Sequence, residues 1–268
     1  MGTLGDVAMN LLFNLRALQR GLMVGAALLL AACATQRDTA SSAPSANDDP
    51  AASLWALAST THPAAAAHWK HQAFPGKRSN RYQYAWVDGR HAMAVAATSS
   101  ISMLRQVVRI EPAELDRVRF SWKVPKLIDS ADLNVREHAD SPVRVVLAFE
   151  GDRSKFSARD AMLSELAHAL TGEPMPYATL MYVWDNRAAP GTVVTSKRTS
   201  RIRKLVIESG PHKLNQWLDY ERDVRADFEK AFGEAPGALV SIGIMTDTDN
   251  TESSTTAWYG PVRHVRGR

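Results

Sequence analysis

A mainly β fold, a jelly-roll-like β-sandwich with two short helices, is what the sequence predicts for the folded part of this chain. Three observations point to it. From about residue 54 onward, segments with an apolar residue at every second position outnumber those with helical spacing. The alternating segments are rich in β-branched and aromatic residues, and turn-forming residues separate them. The helical segments do not alternate with the strands, which argues against a doubly wound parallel sheet.

The chain has 268 residues, enough for one large domain or two small ones at roughly 150 residues each. Its N-terminus is set apart. Gly21 to Leu30 is an uncharged apolar run preceded by Arg16 and Arg20, too short for a helix spanning a bilayer, which needs about 20 residues. Leu30-Ala-Ala-Cys33 follows, and Cys33 is the only cysteine. This arrangement resembles the lipobox of bacterial lipoproteins. The resemblance implies cleavage before Cys33, acylation of that residue and membrane anchoring through it. Ala34 rather than Asp then implies the outer membrane, facing the periplasm. The expected boundaries are a signal peptide over 1–32, a flexible Ala/Ser/Asp/Pro-rich tether over 33–52, and a single domain over 53–268.

Within the domain, Arg81 to Val87 places Tyr82, Tyr84 and Trp86 on one strand face. Arg117 to Val124 does the same for Val118, Phe120, Trp122 and Val124. His91–Ala97, Ser102–Ile110, Val143–Phe149, Tyr177–Trp184, Lys204–Glu208 and Leu239–Thr246 read as further strands. Thr255–Val265 reads as a last one, with Gly260-Pro261 as a bend or edge. One helix is expected over Ser157–Leu170, with Ser157 and Asp160 as a capping box, Gly172 as the stop, and Leu163, Leu166 and Leu170 at helical spacing. Arg225–Phe232, ended by Gly233, is the other.

Composition excludes several functions. Thirty-two basic against 28 acidic residues give a formal +4 that is scattered, so no nucleic-acid partner is expected. A single cysteine excludes an internal disulfide framework and a Cys-based zinc site. Motifs for an α/β-hydrolase, a zinc protease and nucleotide binding are absent, and no nucleotide cofactor is expected outside the cytoplasm.

Several segments carry candidate chemistry. In Met245-Thr-Asp-Thr-Asp-Asn-Thr251, the oxygens of Asp247, Asp249 and Asn250 suit calcium, or cap a turn, or contact a polar ligand. Trp184, Asp185 and Asn186 combine an aromatic face with polar groups, as a sugar subsite requires; Trp258 reads the same way, and a core Trp beside a turn is the alternative. Asp223 and Asp227 are candidates for a general acid and base, against a structural role for such charges. His62, His68 and His71 lie near the start of the domain; His68 and His71, on one helix face, are a metal candidate without a carboxylate partner, or surface histidines.

Taken together, Phe74-Pro-Gly-Lys77, Phe120-Ser-Trp-Lys-Val124, Pro142-Val-Arg-Val-Val146 with Phe149, and Tyr182-Val-Trp184 resemble the bacterial DUF3047 family. So do Ser209-Gly210 before Trp217, Arg222-Asp-Val224 with Asp227, Phe232-Gly233, Thr246 to Thr251 and Ala257-Trp-Tyr-Gly260. The resemblance spans residues 69 to 265. It implies no activity and no catalytic residue; its strand order looks like jelly-roll carbohydrate-binding modules, a fold-level analogy. The leading expectation is a lipid-anchored, non-catalytic binding module for a glycan or other polar envelope ligand. One alternative is an envelope glycan hydrolase using Asp223 and Asp227. Another is a protein-docking lipoprotein, which predicts a contiguous apolar patch and no pocket.

Overall fold

The computed structural model describes residues 50, 53–59 and 69–266. Cys33, His62 and His68, with the signal and most of the tether, lie outside these residues. The described residues form thirteen strands: β1 (Trp69–Ala73), β2 (Arg81–Val87), β3 (Arg90–Thr98), β4 (Ile101–Ile110), β5 (Arg117–Lys123), β6 (Ser141–Phe149), β7 (Ala178–Asp185), β8 (Val193–Thr195), β9 (Ile202–Ser209), β10 (Trp217–Asp223), β11 (Leu239–Asp247), β12 (Ser254–Tyr259) and β13 (Arg263–Val265). Three α-helices accompany them: α1 (Leu54–Ala58), α2 (Ala158–Thr171) and α3 (Val224–Phe232). None of the described helices is long and apolar enough to cross a membrane.

The strands form a β-sandwich. One sheet has seven strands in the order β1-β4-β11-β6-β7-β9-β8, antiparallel except for β7 beside β9. The other runs β10-β5-β12-β3-β2, with β13 also on β5. Alternation decides what goes between them. Val118, Phe120 and Trp122 of β5 share one core with Val143, Val145 and Leu147 of β6, and Phe120 stacks on Tyr182 of β7 with ring centroids 5.4 Å apart. Each such fully buried side chain contributes roughly 1.5–3 kcal/mol of transfer free energy.

The seven-stranded sheet is covered on its other face as well. Every residue of β6 and β7 is buried, the pattern of strands with no solvated side. The outward set, Val146, Met181, Val183, Val206 and Met245, forms a second apolar cluster with Leu133 from the β5–β6 connection. The expected last strand is broken at Gly260-Pro261 into β12 and β13, both lying along β5. Gly260 sits against Ser121, whose Oγ occupies the place a Cβ would need.

Both expected helices form, α2 with the expected cap at Ser157 and both with the expected glycine stops; the Asp223 cap of α3 was not foreseen. Ser157 accepts from the Asp160 amide and Gly172 closes α2 at φ 77°. Asp223 caps α3, closed by Gly233 at φ 72°. Of the leucines at helical spacing on α2, Leu163 is half-buried, while Leu166 and Leu170 are 53% and 60% exposed, beside Met162. The buried residues are Asp160 and Ser164 instead. Asp160 accepts from the hydroxyls of Ser157, Thr199 and Ser200, at 2.8, 2.5 and 2.7 Å. Burial alone would raise this carboxyl's pKa; those donors outweigh it and hold it below the usual range. A satisfied buried carboxylate thus orients the helix at the expense of its leucines.

Candidate functional site

A cavity of about 510 Å³ opens on the outward face of the seven-stranded sheet. Its floor is the second apolar cluster, with Val146, Met181 and Met245 from β6, β7 and β11, and Met103 from β4. Ala167 and Thr171 of α2 form part of its wall. Charged groups gather here because three strands of the sheet each carry one on this face: Arg144 on β6, Asp247 on the adjacent β11, and Lys204 on β9, beyond the intervening β7.

Arg144 is buried, pairs with Asp247 at 2.8 Å and donates to the Ala139 carbonyl at 2.6 Å. The loop after β11 folds over this pair. Asp249 is ion-paired with Lys77. Asp140, ahead of β6, accepts from the Thr251 amide and hydroxyl and from the Asn250 amide nitrogen, at 2.8, 2.7 and 2.7 Å. Carboxylate oxygens of Asp140, Asp247 and Asp249 lie within 4.8 Å of one another. Burial pushes the Asp247 carboxyl well above the usual range, and the flanking acids add to the shift against the opposing charge of Arg144. Asp249 is also pushed up by burial, but its hydrogen bonds to Asp247 and Lys77 win and hold it below that range. Asp247 is therefore the first of these two to take up a proton.

Among the described residues, this is the one cluster of three or more such groups able to hold a metal ion. Its donor set fits calcium poorly. Asn250 turns its amide nitrogen toward Asp140, and its oxygen accepts from Arg198 at 3.1 Å. Each carboxylate already has a cation or N–H donors, so an ion would have to displace Lys77 and Arg144. The expected oxygen set is thus brought together at Asp247 and Asp249, joined by the unexpected Asp140, with Asn250 used as a clamp.

Lys204 is the outlier. It is 5% exposed, lines the cavity, and has no hydrogen-bond or ion-pair partner for its ammonium among the described residues. Burial, and then the positive charge of Arg144, depress its pKa to about 7.

The other expected site residues do not converge here. Trp184 is 1% exposed, with its indole nitrogen bonded to the Gly210 carbonyl at 3.0 Å, so it offers no sugar platform; this corrects the subsite reading. Asp185 accepts from the amides of Arg187 and Ala188, and Asn186 donates to the carbonyls of Ile128 and Ala131, so both hold loops. Trp258 is half-buried on the other sheet, with the Lys123 ammonium 5.8 Å from its ring centroid. The carboxylate pair of the hydrolase reading is also corrected. Asp223 caps α3, while Asp227 accepts from Arg222 at 2.5 Å and from the Tyr182 hydroxyl at 3.0 Å. Neither lines the cavity. His71 stands on β1 with Nε2 2.9 Å from the Ser102 hydroxyl. The docking reading expected a contiguous apolar patch and no pocket; Met162, Leu166 and Leu170 are exposed at a spacing of four along α2, and the cavity opposes the second expectation.

Sequence reasoning missed Lys204, Arg144 and Asp140. A signal was present for one of them: Arg144 interrupts a run of valines in β6, whereas Lys204 shares β9 with Arg203 and Glu208 and does not stand out. A charge at such a position points either to a partner or to a cavity.

No curated protein matches the chain. Among solved structures it is similar to the xyloglucanase domain of NopAA, a type three effector from Sinorhizobium fredii, in complex with cellobiose. The identity is 9% and the TM-score 0.37, over 74% of this chain and 93% of that one. The model of a family described as a protein of unknown function, DUF3047, matches residues 67–263, which include every cavity residue named above, and the chain belongs to that family.

Proposed function

We propose that the chain is a binding protein of the cell envelope, anchored through an acylated Cys33, whose cavity takes a small acidic ligand or the acidic end of a larger one, an acidic glycan included. The observation that carries this reading is the unpartnered, buried Lys204 beside Arg144. Holding an uncompensated charge out of water costs several kcal/mol. A bound carboxylate or phosphate supplies the missing counter-charge and gains charge-assisted hydrogen bonds of about 2.7–2.9 Å. The methionine-rich floor suits the apolar face of a sugar ring or a short carbon skeleton.

Titration calorimetry of the purified chain against glucose 6-phosphate, an oligogalacturonide and their uncharged counterparts tests this. The acidic members bind at least tenfold more tightly, and Lys204→Met removes the preference. Equal binding of charged and uncharged members, or none by either acid, overturns the reading.

One observation favours hydrolysis in the same cavity as a second reading. Asp247 and Asp249 are driven in opposite directions, as a general acid and a general base require. Turnover of the oligogalacturonide, lost in Asp249→Asn with binding retained, would support it. Binding without turnover by the unaltered chain removes it.

A further inference from the structure

Lys204 differs from a lysine kept for ion pairing alone. Strand β9 is hydrogen-bonded on both sides, to β7 and to β8, so its backbone is fixed. The Lys204 side chain is buried among the apolar residues of the cavity, and no carboxylate is placed against its nitrogen. The nearby acids have other partners, Asp247 in Arg144, Asp249 in Lys77, and Asp140 in Asn250 and Thr251; the charges of Asp247 and Asp140 favour the ammonium, but burial with Arg144 and Arg198 outweighs them. Arg144 adds a fixed positive charge, and its buried Nε also lacks a partner. Such surroundings disfavour the ammonium form and leave a lone pair facing a space large enough for a small molecule.

We propose that Lys204 is a nucleophilic amine that captures the carbonyl carbon of a small aldehyde or ketone bearing an acidic group, forming an imine within the cavity. The proposal rests on the cavity being the ligand site, as above. The step is balanced: a C=N bond forms between the Lys204 nitrogen and the carbonyl carbon, the C=O bond breaks, and the oxygen leaves as water carrying both amine protons. No oxidant or reductant takes part. The mostly apolar walls favour loss of that water. The acidic group of the ligand would lie toward Arg144.

At pH 7 an ordinary lysine is uncharged in roughly one chain in 2,500, whereas burial and Arg144 bring Lys204 to about half. Lower basicity reduces the reactivity of each neutral amine, so the net selectivity expected is tenfold or more. The test uses pyridoxal 5′-phosphate, an aldehyde with a phosphate, followed by borohydride reduction, intact mass and peptide mapping. Pyridoxine 5′-phosphate, which lacks the carbonyl, reports non-covalent binding in parallel.

One label per chain is expected, at Lys204, formed at least tenfold faster than at any other lysine. Its rate should be half-maximal near pH 7. Lys204→Arg should lose that label and still bind pyridoxine 5′-phosphate. Labels spread over exposed lysines, or an unchanged label in Lys204→Arg, overturn the proposal. Binding of pyridoxine 5′-phosphate without trapping at Lys204 overturns the imine and leaves the acidic-ligand reading standing. Trapping at Lys204 without that binding does the reverse, and absence of both removes both. If Lys204→Arg does not fold, the map and pH profile of the unaltered chain decide.

Discussion

Replacing Lys204 by Met should stabilise the protein while abolishing its response to acidic ligands. Lys204 is 5% exposed, its amine has no partner among the described residues, and burial lowers its pKa from about 10.4 in the unfolded chain to about 7. A gap of about 3.4 units, at about 1.4 kcal/mol per unit, sets a ceiling near 5 kcal/mol on the cost of this group to folding. Water reaching the amine through the cavity mouth reduces that, and about 2 kcal/mol is the working figure. Met has nearly the same shape and belongs among the methionines of the floor.

The folded pKa lies below the unfolded one. Between about pH 7 and pH 10.4 the unfolded chain therefore holds more protons, and the stability of the unaltered protein rises with pH across that window. The variant lacks this dependence. Thermal unfolding should show Lys204→Met melting about 4–8 °C higher at pH 7, narrowing to about 1–2 °C near pH 9.5. A variant less stable than the parent, or an advantage independent of pH, would refute the reasoning. It would mean that Lys204 has a structural partner in the folded state.

Three further outcomes follow from the same contacts. Asp227→Asn, which breaks the bond network with Arg222 and Tyr182 beneath β10, should cost about 2–3 kcal/mol in denaturant unfolding and leave cavity binding unchanged, since Asp227 does not line it; altered ligand affinity in the folded variant would place it in the site after all. Leu166→Lys and Leu170→Lys should each change stability by less than about 0.5 kcal/mol, because both side chains face outward from α2; a loss above about 2 kcal/mol would restore the inward-facing helix. Calcium and chelator should give the same melting temperature, as Lys77, Arg144, Asn250 and Thr251 already occupy the oxygens of Asp140, Asp247 and Asp249; a rise of several degrees with calcium would show that the ion displaces them.

Much of the sandwich was legible because alternation is a local property. Val118, Phe120 and Trp122 announce a buried strand face whatever lies opposite, and they form one. The short strands β1 and β8 lacked enough residues to show a period. Trp184 misled because a tryptophan followed by Asp and Asn has the inventory of a sugar site. Its indole hydrogen bond to Gly210 and the turn made by Asp185 appear only once the chain is folded. The loop after β11 was recognised as a polar cluster, but the donors that occupy it come from Lys77, Arg144 and Arg198, far away in sequence.

The sequence by itself determined the mainly β character, the caps of α2, the glycine that closes α3, and the family, since each depends on residues close together or on an ordered set of short motifs. Tertiary structure alone decided which charges meet. Periodicity tells which side of its own strand a residue occupies, and says nothing about which strands become neighbours. The order β11-β6-β7-β9 puts Asp247, Arg144 and Lys204 on one face of one sheet, around a cavity. Likewise, three hydroxyls around Asp160, two of them from the loop before β9, outweigh the apolar spacing of α2 and leave Leu166 and Leu170 in solvent. A buried carboxylate left without donors would cost more than two exposed leucines do.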